Sequence, residues 1–575
     1  MKKLLIYLKD YKKECVLAPL FKMIEALLEL FVPLVVASII DIGISGNDKS
    51  HVVRMCIIMA GLALFGLICS ITAQYFSAKA AVCFTAKVRH TLFSHIQELS
   101  YSELDEIGTS TLITRLTSDM NQVQNGVNLT LRLFLRSPFI VFGAMIMAFT
   151  IDVKAALMFV GAIILLSIVV FGIMLGCIPL YNKIQGKLDE VLGITRENLS
   201  GVRVIRAFCK ENEEIDEFKN TNDVLTHLQN FTGKISALMN PLTFIIINFA
   251  VIFLIHIGAV GVYKGLLTQG AVVALYNYMS QILVELIKLA NLIISITKSI
   301  ACGNRIQAVL ELEPSIISSN NNGIANTDYK NIVEFKDINL RYKNAAECSL
   351  ANIDLKVRKG ETVGIIGGTG SGKTSLINLI PRFYDVESGE VLVNGINVRD
   401  FPIDKLRELI GIVPQKAVLF KGSIRDNIKW GKQNASDEEI MRALETAQAK
   451  EIIENKENGL DYEIEQGGKN LSGGQRQRLT IARAIVGEPE ILILDDSSSA
   501  LDFATDAALR KAIREMDSCP TVFIVSQRAS SIQYADKIVV LDDGKAVGLG
   551  THDELLKNCE IYKEIYDSQF SKEGN

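Results

Sequence analysis

The chain contains no C-x-x-C pair. Its ten cysteines are scattered from Cys15 to Cys559, most of them in apolar runs, which argues against a disulfide framework or a cysteine metal site and for small buried hydrophobes. An excess of basic residues is also missing: 60 Lys and Arg stand against 64 Asp and Glu, a net charge of −4. That balance gives no support to nucleic-acid binding. No small-residue cleavage site follows the first apolar run, so no cleavable signal is expected. A lysine-rich start (Lys2, Lys3, Lys9, Lys12, Lys13) leads into a hydrophobic segment instead.

What the chain has in quantity is apolar sequence. The hydrophobic fraction is 49% and the mean hydropathy is positive, high for a purely soluble protein of 575 residues, a length with room for several domains. Long apolar segments recur over 15–40, 52–80, 129–150, 154–181, 239–263 and 271–297, each long enough to cross ~30 Å of hydrocarbon as a helix. The loops near 41–51, 151–153 and 264–270 carry few basic residues, which predicts cytoplasmic N- and C-termini. Residues 81–128 and 182–238 are polar and helical in pattern, and read as helices extending into the cytoplasm. Two polar stripes cross the spans: Lys22, Glu25 and Glu29 in the first, and Asn277, Gln281, Glu285, Lys288, Asn291 and Ser295 in the sixth. Ionisable groups at that depth are expected to face a bundle interior or a water-filled cavity, so Glu25, Glu29, Asn277, Gln281 and Glu285 are candidate substrate-cavity residues. Lys22–Glu25 and Glu285–Lys288 also have the spacing of intrahelical ion pairs. The predicted fold class is an all-α membrane domain of six transmembrane helices, residues 1–303, joined through a linker, 304–330, to an α/β phosphate-loop domain, 331–575. The linker is assigned from the turn-forming run that begins at Glu313-Pro314.

The second half is organised around Gly367-Gly368-Thr369-Gly370-Ser371-Gly372-Lys373-Thr374. It fits the phosphate-loop pattern without a mismatch. Glu361–Ile366 reads as a buried strand before it and Ser375–Ile380 as the start of a helix after it, the context in which backbone N–H groups wrap a triphosphate. Lys373 is placed to reach the β- and γ-phosphates, the Thr374 hydroxyl to hold Mg²⁺, and Ser375 to continue the site. Tyr342 lies upstream, where its ring could stack on a base. Gln415 follows the loop, with an amide oxygen suited to Mg²⁺ or an attacking water. Leu471-Ser472-Gly473-Gly474-Gln475 then heads a helix, and Ile491–Asp495 is an apolar strand ending in a carboxylate suited to Mg²⁺.

This ordered set resembles the ATP-binding cassette, and the upstream half resembles the six-helix membrane domain of ABC exporters. Ile113–Asp119 looks like the family's first cytoplasmic coupling segment and Glu197–Phe208 like the second. The resemblance implies a half-transporter of a bacterial inner membrane that uses ATP and Mg²⁺. It also implies a second half-transporter as partner, with Ser472, Gly473 and Gly474 donated to the partner's γ-phosphate, and a small amphipathic substrate.

Two positions depart from the family pattern. Its catalytic glutamate directly follows the Mg²⁺-binding aspartate, where this chain has Asp496; a carboxylate one methylene shorter falls ~1 Å short, enough to cost about 10²-fold in rate. Its switch histidine follows the strand 522–526, where this chain has Gln527, which cannot take a proton near neutral pH. His552, the one histidine after residue 256, belongs to a different motif. The expectation is a degenerate ATP site in one subunit of a heterodimeric exporter, with a homodimer less favoured. The alternatives are an importer built on the exporter fold, for example for a siderophore, and a regulatory subunit that only clamps ATP.

Overall fold

A computed structural model describes residues 3–319, 330–343, 345–497 and 499–570. The chain forms two compact units, Met1–Gln97 with Ser110–Leu312, and Glu98–Thr109 with Glu313–Asn575.

The first unit is helical. A 3-10 segment, Leu4–Tyr11, leads into α1 (Lys12–Ser38), which ends in a π-helical turn, Ile39–Ile44. Then come α2 (Lys49–Glu98), and, after a short α3 (Tyr101–Ile107) that belongs to the other unit, α4 (Thr109–Thr114), α5 (Met120–Leu133), α6 (Arg136–Ile151), α7 (Val153–Ala207), α8 (Glu211–Ala237), α9 (Met239–Tyr263) and α10 (Gln269–Leu310). Among the described residues, six helical stretches are long and apolar enough to cross a membrane, and each contains one of the expected spans. All six are longer than a bilayer requires, and the single helices α2 and α7 run unbroken for 50 and 55 residues, taking in much of the expected extensions. The last helix also continues to Leu310, past the expected domain boundary at 303, and residues 320–329 of the expected linker lie outside the described residues.

The third span is not one helix. Pro138 lacks the N–H that the Phe134 carbonyl would accept, and the chain breaks between α5 and α6, with Pro138 in the first turn of the new helix, where proline is tolerated. Packing in this unit relies on small residues. Ala144 and Ala148 of α6, Ala155, Ala156 and Ala162 of α7 and Ala274 of α10 are buried in one cluster with Phe159, Leu254 and Tyr278. Small side chains let apolar helices approach where lipid offers no hydrophobic drive for association. The Tyr278 hydroxyl, buried in that cluster, donates to the Leu30 carbonyl at 2.6 Å.

The second unit holds two main sheets. An antiparallel one has the order β2-β1-β4-β5, from β1 (Val333–Leu340), β2 (Leu350–Val357), β4 (Ser388–Val393) and β5 (Ile396–Asn397). The other has the order β12-β11-β3-β10-β9-β6, from β3 (Thr362–Gly367), β6 (Ile410–Val413), β9 (Ile491–Asp495), β10 (Thr521–Val525), β11 (Lys537–Asp542) and β12 (Lys545–Gly550). It is parallel except for the β11–β12 pair. Strands β3, β9 and β10 are buried along their whole length, which is why they read as unbroken apolar runs and not as alternation. The remaining elements are a small β7–β8 ladder (Gly422–Ser423, Glu463–Ile464) and the helices α11 (Lys373–Asn378), α12 (Ile403–Glu408), α13 (Ile424–Lys429), α14 (Asp437–Thr446), α15 (Lys450–Glu454), α16 (Gly473–Ile485), α17 (Phe503–Arg514), α18 (Ala529–Ile532), α19 (His552–Asn558) and α20 (Glu560–Phe570).

The helix α3 packs within this second unit. The Tyr101 ring lies 4.6 Å from that of Phe383, Asp105 accepts a 2.6 Å bond from the Tyr384 hydroxyl, and Glu106 pairs with Lys343 at 2.7 Å. Burial and the neighbouring Asp105 carboxylate push the Tyr384 hydroxyl above the ordinary tyrosine value. Ile113–Asp119, the segment that resembles the first coupling region, belongs to the helical unit, where Asp119 is buried between Arg115 (2.8 Å) and Arg305 (2.5 Å). Its charged side chains serve a local ion network.

Candidate nucleotide site

Parallel sheets expose the carboxyl ends of their strands, and ligands bind in the crevice beyond them. Here β3 runs into the phosphate loop, β9 into Asp495 and Asp496, and β10 into Ser526 and Gln527, so three adjacent strands converge on one place. The loop's backbone explains its glycines. Gly370 and Gly372 have φ of 85° and 92°, the left-handed region open to residues without a Cβ, and a Cβ on Gly372 would stand 2.7 Å from the Ser349 carbonyl.

Lys373 is buried. Its ammonium donates to the carbonyls of Gly367 (2.9 Å) and Gly368 (2.5 Å) and reaches the Ser371 hydroxyl at 3.4 Å, so the side chain folds across the inside of the loop. Burial pushes it below the ordinary lysine value, opposed by the nearby Asp496 and Asp495 carboxylates. The Thr374 hydroxyl donates to both oxygens of Asp495, at 3.2 and 3.1 Å. Burial holds the Asp495 carboxyl above the usual carboxylate range. A hydroxyl and a carboxylate this close are the hard oxygen donors that suit Mg²⁺. A pocket of about 130 Å³ is lined by Thr369, Gly370, Lys373, Thr374, Gln415, Asp495, Asp496 and Gln527, among others. The phosphate loop, the Thr374–Asp495 pair and both departing positions therefore share one space.

Asp496 is held in an unusual backbone conformation, φ 46°, with its N–H bonded to the Val525 carbonyl of β10 at 2.9 Å and its own carbonyl accepting from the Ser499 hydroxyl at 2.8 Å. Gln527 is exposed, and its carbonyl accepts from the Gln569 amide at 2.8 Å; the same Gln569 accepts from the Ala529 N–H at 2.9 Å. Gln569, in α20, thus grips the loop after β10, a role that a lone glutamine near the end of a sequence gives no signal for. Tyr342 does not stand free. Its hydroxyl donates to Ser375 at 2.9 Å and its ring meets Tyr384 edge-on, so its exposed remainder is what could meet a base.

The Leu471–Gln475 motif lies outside that pocket. Ser472 is the N-cap of α16: its hydroxyl accepts from the Gln475 N–H, and the Gln475 side chain accepts from the Ser472 N–H, a complete capping box. Ser472 and Gly473 remain exposed.

The stripes in the helical unit resolve into ion pairs. Lys22 bonds both oxygens of Glu25 and the Ser70 hydroxyl of α2. Arg136 ties three spans together, donating to Glu29 of α1 and to Glu285 of α10, both at 2.7 Å. Glu285 is only 3% exposed and also accepts from Ser137 (2.8 Å) and Lys288 (2.9 Å). Asn277 and Gln281 are half-buried on the same helix. Arg136 is absent from the stripes read off the sequence, although it is a charged residue inside the 129–150 apolar run, the signal that could have found it.

Six apolar helices in one unit and a phosphate loop on a parallel sheet in the other define a membrane-bound nucleotide-binding protein. Residues 15–286 match the family described as ABC transporter transmembrane region, and 350–499 the family described as ABC transporter. The chain is 36% identical over the full length of both sequences to an uncharacterized ABC transporter ATP-binding protein, YfiB, of Bacillus subtilis. It is 35% identical to an ATP-dependent lipid A-core flippase of Desulfotalea psychrophila over 84% of each chain. Its fold matches a bacterial Atm1-family ABC exporter with ATP bound, with a TM-score of 0.80 over 97% of this chain and 98% of that one, at 22% identity. The chain belongs to the ABC transporter family. It is a half-transporter with the exporter fold, a multi-pass membrane protein carrying one membrane domain and one ATP-binding cassette.

Proposed function

We propose that this chain is one subunit of a heterodimeric ATP-driven exporter of small amphipathic compounds, and that its own ATP site holds nucleotide but hydrolyses it poorly. The observation that carries the reading is the lining of the 130 Å³ pocket, where Asp496 and Gln527 occupy the places of a catalytic glutamate and a switch histidine while Lys373, Thr374, Gln415 and Asp495 are intact. Thr374 and Asp495 would hold Mg²⁺, which neutralises charge on the phosphates when bound. Lys373 exchanges the loop carbonyls for phosphate oxygens, and the loop glycines admit the backbone close to them. Asp496, fixed at φ 46° by its bond to β10, cannot extend its shorter side chain by shifting its backbone without losing that bond. Gln527 offers an amide that neither gains nor loses a proton at neutral pH.

The assembly reading rests on two surfaces. Ser472 and Gly473 are capped, exposed and away from the chain's own phosphate loop, as a motif donated to a second chain would be. Leu199, Val204 and Phe208, in the segment that resembles the second coupling region, are exposed on the helical unit; apolar side chains in a polar extension are a docking surface for another chain. N- and C-termini in the cytoplasm accord with the few basic residues of the opposite loops. The test is ATPase activity of the purified chain, alone and mixed with a half-transporter that carries Glu and His at these positions. The chain alone is expected to turn over slowly and the mixture fast. Asp496→Glu with Gln527→His is expected to raise the chain's own rate by about 10²-fold, the size of the proposed misplacement. A fast homodimeric wild-type ATPase overturns the reading.

A further inference from the structure

In the helical unit, Glu29, Arg136, Glu285 and Lys288 form a chain of alternating charge, each link a contact of 2.7–2.9 Å. The two middle members are buried, with side-chain exposures of 8% and 4%, and the two ends are not: Glu29 is 47% and Lys288 45% exposed. Three members sit at one depth. Glu29 is fifteen residues from Ile44, Arg136 fifteen from Ile151 and Glu285 sixteen from Gln269, about 23 Å along each helix from loops on the same side of the bundle. That places them within a hydrocarbon layer ~30 Å thick, where a charge facing lipid is costly, while Lys288, nineteen residues from Gln269 and about 28 Å along α10, lies near the layer's far edge. The face that exposes Glu29 must therefore look onto water, onto a bound molecule or onto the partner half-transporter, and Lys288 lies beside it at the edge of the layer.

Glu285 has its charge met three times over, by Arg136, Ser137 and Lys288. Glu29 meets Arg136 through one oxygen alone, and Lys288 shares a carboxylate that Arg136 already neutralises. Two polar atoms near this chain are buried with no partner: Nε of Arg136, a residue 7% exposed, and Oε1 of Gln281, one turn before Glu285 on α10. A donor unmatched in this network and an acceptor unmatched one turn away on α10 point to a polar group that arrives from outside.

We infer that Glu29 and Lys288 are the two poles of a head-group site for an amphipathic zwitterion, a molecule with an apolar tail and both a cationic and an anionic group. This rests on the transport reading above for its role but not for its chemistry. The ligand's cation takes the free oxygen of Glu29 and its anion takes Lys288, while Arg136 and Glu285 hold the poles on the order of 10 Å apart or less. The cluster as a whole is neutral, so a ligand with one charge leaves one pole unpaired, and a desolvated unpaired charge is penalised. Glu285 is then a positioning residue and no ligand contact.

The test uses the full chain in maltoside micelles and four amphipaths that share one fluorescent acyl tail, with head groups of phosphate plus trimethylammonium, trimethylammonium alone, phosphate alone, and an uncharged sugar. The zwitterion is expected to bind at least about tenfold more tightly than either singly charged probe. Glu29→Gln should weaken the zwitterion and the cation without changing the anion; Lys288→Gln should weaken the zwitterion and the anion without changing the cation. Four wild-type affinities within about twofold of each other overturn the site even if neither variant folds, as does an unchanged ranking in both variants. Competition by a diacyl lipid with the same head identifies a membrane lipid as the source, and competition confined to single-chain probes identifies a soluble amphipath; each supports the site. ATP-driven movement of the probes is measured separately, in inverted vesicles that hold this chain together with a half-transporter carrying Glu and His at the positions of Asp496 and Gln527. Head-group ranking without movement leaves the site standing and removes the transport reading, and movement without ranking does the reverse.

Discussion

Asp506 lies in the first turn of α17, buried, with Arg510 at 3.2 Å and the Ser531 hydroxyl at 3.5 Å. Burial raises its carboxyl above the usual range, and Arg510 offsets this only in part. A carboxyl raised in the folded state binds its proton more tightly there than in the unfolded chain. Its contribution to stability is therefore fullest below the ordinary carboxylate value and is lost as pH rises through the raised one. Asp506→Asn is expected to raise the unfolding temperature at pH 7–8, with the gain shrinking toward pH 4, as thermal denaturation of the full chain would show; a gain that grows on acidification contradicts the sign. Single residues were also where sequence reading lost most. Glu29 and Glu285 stood out as acids in apolar runs, but their different roles depend on Arg136, which comes from another span 107 and 149 positions away. Helical periodicity cannot pair residues across that distance.

Among the elements, α16 is capped by Ser472, for which a contact with a partner's nucleotide is also proposed. Ser472→Ala removes the N-cap bond and is expected to cost about 1 kcal/mol of stability. Ser472→Asp caps as well as serine but adds a negative charge at the helix start. It should keep the unfolding temperature near wild type while abolishing ATPase activity in the mixed dimer, because the motif would then repel the partner's triphosphate. Loss of activity in Ser472→Ala alone cannot separate the two effects, whereas the Asp variant can. Elements were legible where local chemistry decides them. The apolar runs of β3, β9 and β10, the phosphate loop and the helix start at Leu471–Gln475 all follow from spacing and side-chain type. The break before α6 is hidden, although Pro138 is visible in the sequence, because the apolar run continues across it. The packing of α3 with the α/β unit was not legible either, since it depends on Tyr101, Asp105 and Glu106 meeting residues some 240 to 280 positions away.

For the whole molecule, the proposed clamp makes nucleotide on this chain necessary for the transport cycle. Lys373→Ala in this chain alone, with its partner unaltered, is expected to reduce ATP-driven probe movement to background if nucleotide here clamps the assembly; full-rate movement would assign all the work to the partner. Family, fold and the composition of the nucleotide site could be read from the sequence because a phosphate loop and its companions are short contiguous motifs. The membrane site could not, being assembled from three helices. The grip of Gln569 on the loop at Gln527–Ala529 has a practical consequence. Helix α20 is tied to the lining of the nucleotide pocket, so an affinity tag or a truncation that disturbs it acts as a mutation at Gln527. Turnover measured on such a protein would report the handle as much as the enzyme.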